Sequence, residues 1–117
     1  MKKENTKAQM RKGILEFCIL SLLHRQGYAY QADILAELKQ AQLIVVEGTL
    51  YPLLSRLKSA GLLKYQWVES QKGPPRKYYC LTTEGEEFLK ELEKTWTHLR
   101  DAVAFITKKQ DNYEQSN

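Results

Sequence analysis

The sequence predicts a mainly α-helical fold with a two-stranded β-hairpin (α+β), ending in one long C-terminal helix. Three features indicate it. Apolar residues recur at helical spacing, two aromatic-rich runs flank a Gly-Pro-Pro turn, and the last helical segment has a regular apolar stripe. With 117 residues, the chain is long enough to form one hydrophobic core but not two independent ones.

The composition is typical of a folded domain without a membrane span or a disulfide framework. Hydrophobic residues make up 43% and charged residues 27% of the chain, which is typical of a folded domain. No apolar run is long enough for a membrane span, and the one near the N-terminus is too interrupted for a signal peptide, so we expect a cytoplasmic protein. Cys18 and Cys80 belong to no CxxC pair, so we expect free thiols and no metal or other cofactor.

The net charge of +4 is unevenly distributed. Basic residues cluster in segments 1–12 and 64–78, whereas segment 83–109 is nearly balanced. Two basic patches indicate a polyanionic partner such as nucleic acid, although ordinary surface lysines would give the same totals.

Apolar spacing and stop signals define the first two helices. We expect the first over Met10–His24, buried on most sides and ended by Gly27. The second is expected over Gln31–Gln40, with a single apolar stripe facing inward.

The third helix has one apolar face and one face poor in long side chains. It should begin near residues 47–49, because Pro52 belongs in or near a first turn, and it should end at Gly61. The apolar face consists of Leu50, Leu53, Leu54 and Leu57. The opposite face carries Gly48, Pro52, Ser55, Arg56 and Ser59, with Tyr51 and Lys58 at its flanks.

Three helices followed by a hairpin predict a winged helix-turn-helix. In that architecture the third helix enters the major groove of double-stranded DNA and the hairpin tip follows the backbone or minor groove. Lys72, Arg76 and Lys77 would then meet phosphates, while Gly73 lets the tip turn and the two prolines after it stiffen the tip. A rigid solvated turn without a partner is the alternative.

The last helix, expected over Thr83–Lys109, carries apolar residues at alternating steps of three and four. They are Leu89, Leu92, Trp96, Leu99, Val103 and Ile106. A monomer would leave much of this stripe in water, so we expect it to form a homodimer contact. The predicted organisation is therefore a DNA-binding domain over 1–82, a dimerisation helix over 83–109 and a polar tail over 110–117.

Two blocks of sequence resemble the PadR-type transcriptional regulators. They are EGTLYPLLSRLKSAGLL and PPRKYYCLTTEGEEFL, and the resemblance extends over residues 12–107. It implies a homodimeric winged-helix repressor whose long C-terminal helix forms the dimer contact and whose DNA affinity often responds to small aromatic compounds. The DNA-facing residues it implies are Thr49, Tyr51, Pro52, Ser55, Arg56, Lys72, Gly73, Arg76 and Lys77. The wing sequence KGPPRK departs from the family in having a proline where many members have glycine or a polar residue.

Several roles remain open at this level. Trp96 is either a large interface residue or one wall of a pocket for a flat aromatic effector; Leu15, Phe17, Leu92, Leu99 and Val103 are candidate lining residues. Tyr78 and Tyr79 belong either to the hairpin core or to the DNA contact. Arg56 is the residue expected to contact a base most specifically, because on the outer face of the third helix it alone can form a bidentate contact with guanine.

Other classes of protein fit less well. His24 and His98 fall on different helices, and the sequence has no metalloprotease motif, paired catalytic carboxylates or phosphate-binding loop, so we expect no enzyme. A winged helix that binds DNA unspecifically, or binds protein, without an effector would share the same fold. A large difference in affinity between an operator and random DNA separates these alternatives.

Overall fold

The computed structural model describes residues 3–43 and 45–108. Its elements are α1 (Lys3–Gln26), β1 (Ala29–Tyr30), α2 (Gln31–Gln40), α3 (Glu47–Ser59), β2 (Leu63–Val68), β3 (Arg76–Leu81) and α4 (Thr83–Thr107). The predicted polar tail, 110–117, lies outside the described residues. Within them, no helix is both long enough and apolar enough to cross a membrane.

Helix α1 begins at Lys3, well before the predicted start at Met10. Its first three turns carry good helix formers and no proline, but they have no apolar stripe that a search for periodicity would detect. Only its second half packs in the core, through Leu15, Ile19, Leu20, Leu22 and Leu23. The expectation that this helix is buried on most sides is therefore wrong for its N-terminal half. Gly27 ends the helix as predicted, with φ +86° and its N–H donating to the Leu23 carbonyl at 2.8 Å.

The core lies between α1, α2, α3 and the sheet. Helix α2 has the predicted bounds, and Ile34 and Leu38 are its buried residues. All four leucines predicted on the inner face of α3 are buried. Gly61 follows α3 with φ +81°, a backbone conformation that favours glycine and turns the chain into β2.

The sheet has three antiparallel strands in the order β1-β3-β2, so the predicted two-stranded hairpin is only part of it. The added strand, β1, pairs Ala29 with Tyr79 and Tyr30 with Tyr78. Two residues are too few to show strand periodicity, and this strand exists because β3 offers it a partner edge. β1 thereby fastens the start of α2 to the base of the hairpin.

A close contact joins the end of the sheet to α4. The Thr82 hydroxyl accepts a hydrogen bond from the Gly85 N–H at 2.9 Å and donates one to the Gly61 carbonyl at 2.6 Å. A Cβ on Gly85 would lie 2.2 Å from the Leu62 carbonyl oxygen, closer than any side chain tolerates. Glycine is therefore required where α4 begins.

Helix α4 leaves the core after its first turns. Leu89 is buried and Leu92 is partly buried, but the next members of the stripe become steadily more exposed. Trp96 is 41%, Leu99 51%, Val103 55% and Ile106 76% exposed. The projecting helices give the described chain an elongated shape, with extents of 60 × 31 × 30 Å.

Candidate nucleic-acid interface

The outermost side chains of α3 are all short. Gly48, Pro52, Ser55 and Ser59, here termed the crown of α3, lie opposite the buried leucines and are exposed. Helix α3 begins at Glu47, within the predicted range of 47–49, and Pro52 is its sixth residue. The missing N–H of Pro52 leaves the Gly48 carbonyl without a helical partner, and the exposed position lets water hydrate that oxygen. Because the side chains of the crown are short, the backbone on this face of α3 can approach another surface closely.

The flank of α3 that faces α1 carries Thr49 and Arg56. The guanidinium of Arg56 forms an ion pair with the carboxylate of Glu16 on α1. The side chain of Arg56 is 56% exposed, whereas that of Glu16 is only 15% exposed. The residue predicted to read bases is therefore held on the side of α3, next to α1. Thr49 borders an apolar groove with Arg11 and Lys12 of α1 at its edge.

The opposite flank of α3 faces the hairpin through an aromatic cage, defined here as the rings of Tyr51, Tyr65 and Trp67. The ammonium of Lys77 lies 4.5 Å from the centre of the Tyr65 ring, 5.5 Å from that of Trp67 and 5.6 Å from that of Tyr51. The rings of Tyr65 and Trp67 meet edge to face at 6.2 Å. Lys58 of α3 approaches the Tyr65 ring at 5.4 Å. These contacts join α3 to the hairpin.

A further cation–ring contact lies at the start of β3, on the side of β1. The guanidinium carbon of Arg76 lies 4.5 Å from the centre of the Tyr30 ring, which also contacts the Tyr78 ring at 5.5 Å. Tyr79, one residue further, is buried, and this burial raises the pKa of its hydroxyl. Of the two tyrosines left open by the sequence, Tyr79 thus belongs to the core and Tyr78 packs on β1.

The tip of the hairpin is exposed and internally hydrogen-bonded. The Ser70 hydroxyl donates to the Lys72 carbonyl at 3.2 Å and accepts from the Lys72 N–H at 3.3 Å. Gly73 follows with φ +110°, a conformation that favours glycine. Lys72 is thereby presented at the tip, away from the core.

Of the predicted DNA-facing residues, Tyr51, Arg76 and Lys77 line a cleft between α3 and the hairpin. The cleft is lined by Tyr30, Gln31, Ala32, Glu47, Tyr51, Trp67, Pro75, Arg76, Lys77 and Tyr79. Tyr51 and Lys77 meet inside it, whereas Thr49 and Arg56 lie on the far flank of α3. Sequence reasoning missed Trp67, although its position two residues after Tyr65 puts both rings on one face of β2.

The predicted dimer and effector residues divide into two groups. Leu15 and Leu89 are buried within the chain itself. Phe17 contacts Trp96, with ring centres 6.3 Å apart, at the point where the exposed part of the α4 stripe begins. Burial raises the pKa of the nearby Cys18 thiol, which disfavours its reactive thiolate form. Within the described ranges, no cluster of three or more His, Cys, Asp or Glu side chains has the arrangement of a metal site.

Three helices with an exposed third helix, and an antiparallel hairpin packed beside it, define a winged-helix DNA-binding protein. Residues 19–91 match the model of the transcriptional regulator PadR-like family, and the chain belongs to this family. It is accordingly a DNA-binding transcriptional regulator.

Solved structures of the same family resemble the chain along most of its length. A PadR-like transcription factor from Bacteroides fragilis is 62% identical, with a TM-score of 0.76, and the match covers 87% of this chain and 98% of that one. A PadR family transcriptional regulator from Eggerthella lenta is 34% identical, with a TM-score of 0.78 and coverages of 92% and 93%. A PadR-like regulator from Bacillus cereus is also 34% identical, with a TM-score of 0.75 and coverages of 87% and 99%.

Proposed function

We propose that the protein is a homodimeric repressor that inserts α3 into the major groove of an operator and lays the hairpin along the adjacent backbone. The observation that carries this proposal is the crown of α3, an exposed helical face with short side chains and a cationic hairpin beside it. The proposed DNA-facing residues are Thr49, Tyr51, Pro52, Ser55, Arg56, Lys72, Gly73 and Arg76, and Lys77 lies beside them between the hairpin and α3.

The crown of α3, the hairpin and Arg56 are proposed to make different contributions to DNA binding. The short crown brings the helix backbone close to the bases, so that backbone contacts and DNA shape supply much of the recognition. Lys72 and Arg76, exposed on the hairpin, provide charge for the phosphates. Arg56 would contact a base from the flank of α3 that faces α1. In the free protein its guanidinium forms an ion pair with Glu16 on that flank.

The dimer is proposed from the exposed half of the α4 stripe. Trp96, Leu99, Val103 and Ile106 form a continuous apolar seam that leaves the core of its own chain. A second copy related by two-fold symmetry would cover this seam with an identical one. Two operator half-sites would then be contacted by two copies of α3.

An effector site is proposed at the start of the seam. Trp96 and Phe17 together present an aromatic surface beside the partly buried Leu92. A flat aromatic compound would stack there and alter the spacing of the two copies of α3. Repression would then depend on the concentration of that compound.

The experiment for DNA recognition is fluorescence anisotropy of a labelled duplex taken from just upstream of the protein's own gene. A scrambled duplex of equal length is measured at the same two salt concentrations. A specific repressor binds the first duplex about 10³-fold or more tightly than the second. Equal affinity for both would indicate an unspecific DNA-binding module, and loss of all binding would contradict the DNA-binding proposal.

A charge control makes the hairpin contact testable in the same assay. Lys72→Met removes one charge at the hairpin tip, and Lys90→Met removes one from an exposed position on α4. We expect the first change to lower the slope of log affinity against log salt by about 0.9, the contribution of one phosphate contact. The second should leave the slope unchanged.

A further inference from the structure

The outer half of the hairpin has little support from the core. In β2 only Leu63 is buried, and Trp67 near the far end of the strand is 62% exposed. In β3 the buried residues, Tyr79 and Cys80, are likewise at the base. An isolated pair of strands is marginally stable in water. The angle between the outer hairpin and α3 therefore depends on contacts outside the core.

Lys77 makes three of the cation–ring contacts there, and Lys58 of α3 makes another with Tyr65. Lys77 pairs across the strands with Trp67, and its ammonium also faces the rings of Tyr65 and Tyr51, all three ring centres lying within 5.6 Å. Tyr51 belongs to α3, whereas the other two rings belong to β2. The ammonium of Lys77 thus contacts both α3 and the hairpin, and the proposed DNA contact depends on how these two elements are placed relative to each other. Attraction between an ammonium and ring faces is strongest where water is partly excluded, and Lys77 is partly buried.

The surroundings of Lys77 differ from those of a free phosphate-binding lysine. Among the described residues it forms no ion pair, so its charge is balanced by ring faces. Lys72 at the hairpin tip is exposed, whereas Lys77 is partly buried. If the ammonium of Lys77 moved away to a phosphate, its contact with Tyr51 would be lost, and Lys58–Tyr65 would be the remaining one of these cation–ring contacts between α3 and the hairpin.

We infer that Lys77 is a positioning residue, whose ammonium in the aromatic cage holds the hairpin at a set distance from α3 instead of binding a DNA phosphate. The inference rests on the proposed DNA-binding function. It assigns Trp67 a supporting role, because its ring lies opposite Lys77 across the strands and is one of the three rings that its ammonium faces.

Duplex binding by four variants tests this role. They are Lys77→Met, Trp67→Leu, the double variant, and Lys77→Arg, which keeps a cation able to stack on the rings. Lys64→Met is the charge control, since Lys64 is exposed on the opposite face of β2. Thermal melting of each variant confirms that it is folded.

Lys77→Met, which removes the contacts to all three rings, should weaken operator binding about three- to tenfold. Trp67→Leu, which leaves the contacts to Tyr65 and Tyr51, should weaken it by a smaller factor. The double variant should lose no more than Lys77→Met alone, because without the ammonium the Trp67 ring has no Lys77 cation to contact. The two single variants should also share one salt slope, and Lys77→Arg should retain near-normal affinity. Lys64→Met should bind like the unchanged protein.

Three results would overturn the inference while leaving the proposed function intact. The first is normal operator binding by Trp67→Leu. The second is a strictly additive loss in the double variant. The third is a salt slope for Lys77→Met about 0.9 below that of Trp67→Leu, which would mean that Lys77 contacts a phosphate. Failure of the unchanged protein to bind any duplex would instead overturn the proposed function, and this inference with it.

Proton NMR of the side chain gives a direct readout of the cage. Ring currents from Tyr65 and Trp67 should shift the ε-protons of Lys77 upfield in the free protein, and Trp67→Leu should reduce this shift. The shift should persist when operator DNA is added. Its disappearance on DNA binding would show that the ammonium leaves the rings, and would contradict the positioning role.

Discussion

The guanidinium of Arg56 on α3 and the carboxylate of Glu16 on α1 form an ion pair across the interface of the two helices. The arrangement is asymmetric, because the arginine is more than half exposed and the glutamate is largely covered. Of all the predicted DNA-facing residues, Arg56 is the one whose charge is already balanced by a carboxylate of the same chain. The pair therefore joins α3 to α1, whose Phe17 contacts Trp96 at the start of the α4 seam.

This asymmetry predicts unequal effects on stability. Arg56→Met leaves the carboxylate of Glu16 without its partner in a mostly buried position, so it should lower the free energy of unfolding by about 1–3 kcal/mol. Glu16→Gln leaves an arginine that water can still hydrate, and its cost should be about 1 kcal/mol or less. Urea denaturation at fixed protein concentration measures both. Equal costs would mean that the carboxylate is better hydrated than its burial indicates.

Gly85 should tolerate no side chain. In Gly85→Ala the new methyl group would press on the Leu62 carbonyl oxygen, so we expect the free energy of unfolding to fall by about 1–3 kcal/mol. Gly13→Ala is the matched control, because a methyl group added to Gly13 in α1 would meet no neighbouring atom within 4 Å. It should stabilise the helix by about 0.5–1 kcal/mol. Two changes of the same sign would contradict the close approach of Leu62.

A charge placed in the α4 seam should break the proposed dimer. Trp96→Glu introduces a carboxylate where two apolar seams would meet, and sedimentation velocity should show a shift to monomer. Thr97→Glu, on the adjacent exposed position of α4 and off the apolar stripe, should leave the association state unchanged. A dimer that survives Trp96→Glu would place the contact elsewhere on the chain.

Trp96 should also decide the response to an aromatic effector. A planar aromatic compound that stacks on Trp96 should weaken duplex binding by the unchanged protein in a concentration-dependent way. The same compound should have little effect on Trp96→Leu, a change that keeps an apolar residue in the seam. Fluorescence anisotropy at a fixed operator concentration follows both. An equal response of the two proteins would exclude Trp96 from the effector site.

We expect the raised pKa of Tyr79 to cause a loss of stability at high pH. Burial, with smaller effects from Tyr51 and Tyr65, raises the pKa of its hydroxyl above the ordinary value of 10.0. The folded chain therefore keeps this proton to higher pH than the unfolded chain. The resulting stability is complete below about pH 10 and is lost as the pH rises through the folded pKa.

Tyr79→Phe should remove this part of the pH dependence. Between about pH 9 and about pH 11, urea denaturation should show a smaller loss of stability for the phenylalanine variant than for the unchanged protein. Tyr28→Phe is a control, since Tyr28 is exposed. Identical pH profiles for Tyr79→Phe and the unchanged protein would contradict the raised pKa.

The elements that could be predicted from sequence are those with a strong local signal. The apolar stripe of α3 repeats with the helical period, and the glycines after α1 and α3 mark where each helix ends. The family blocks, likewise, are contiguous stretches of sequence. Such features are local, so they are readable before the chain is folded in space.

Other elements were missed because their cause is not local. The first turns of α1 are helical without an apolar stripe, and β1 consists of two residues that are a strand only because β3 lies beside them. The sequence predicts a phosphate contact for Lys77 from its charge, whereas the rings around Lys77 are visible only in the fold. Tyr51 reaches it from a helix more than twenty positions away in the sequence, which no periodic pattern reveals.

The amino-acid sequence alone determined the order of the helices and hairpin, the inward face of α3, the stripe of α4 and the family. Only the tertiary structure decided which charges are free. Arg56 is paired with Glu16, and Lys77 lies among three rings, whereas Lys72 remains exposed. The physical reason is that a charge acquires its role from the atoms packed around it, and those atoms come from distant parts of the chain.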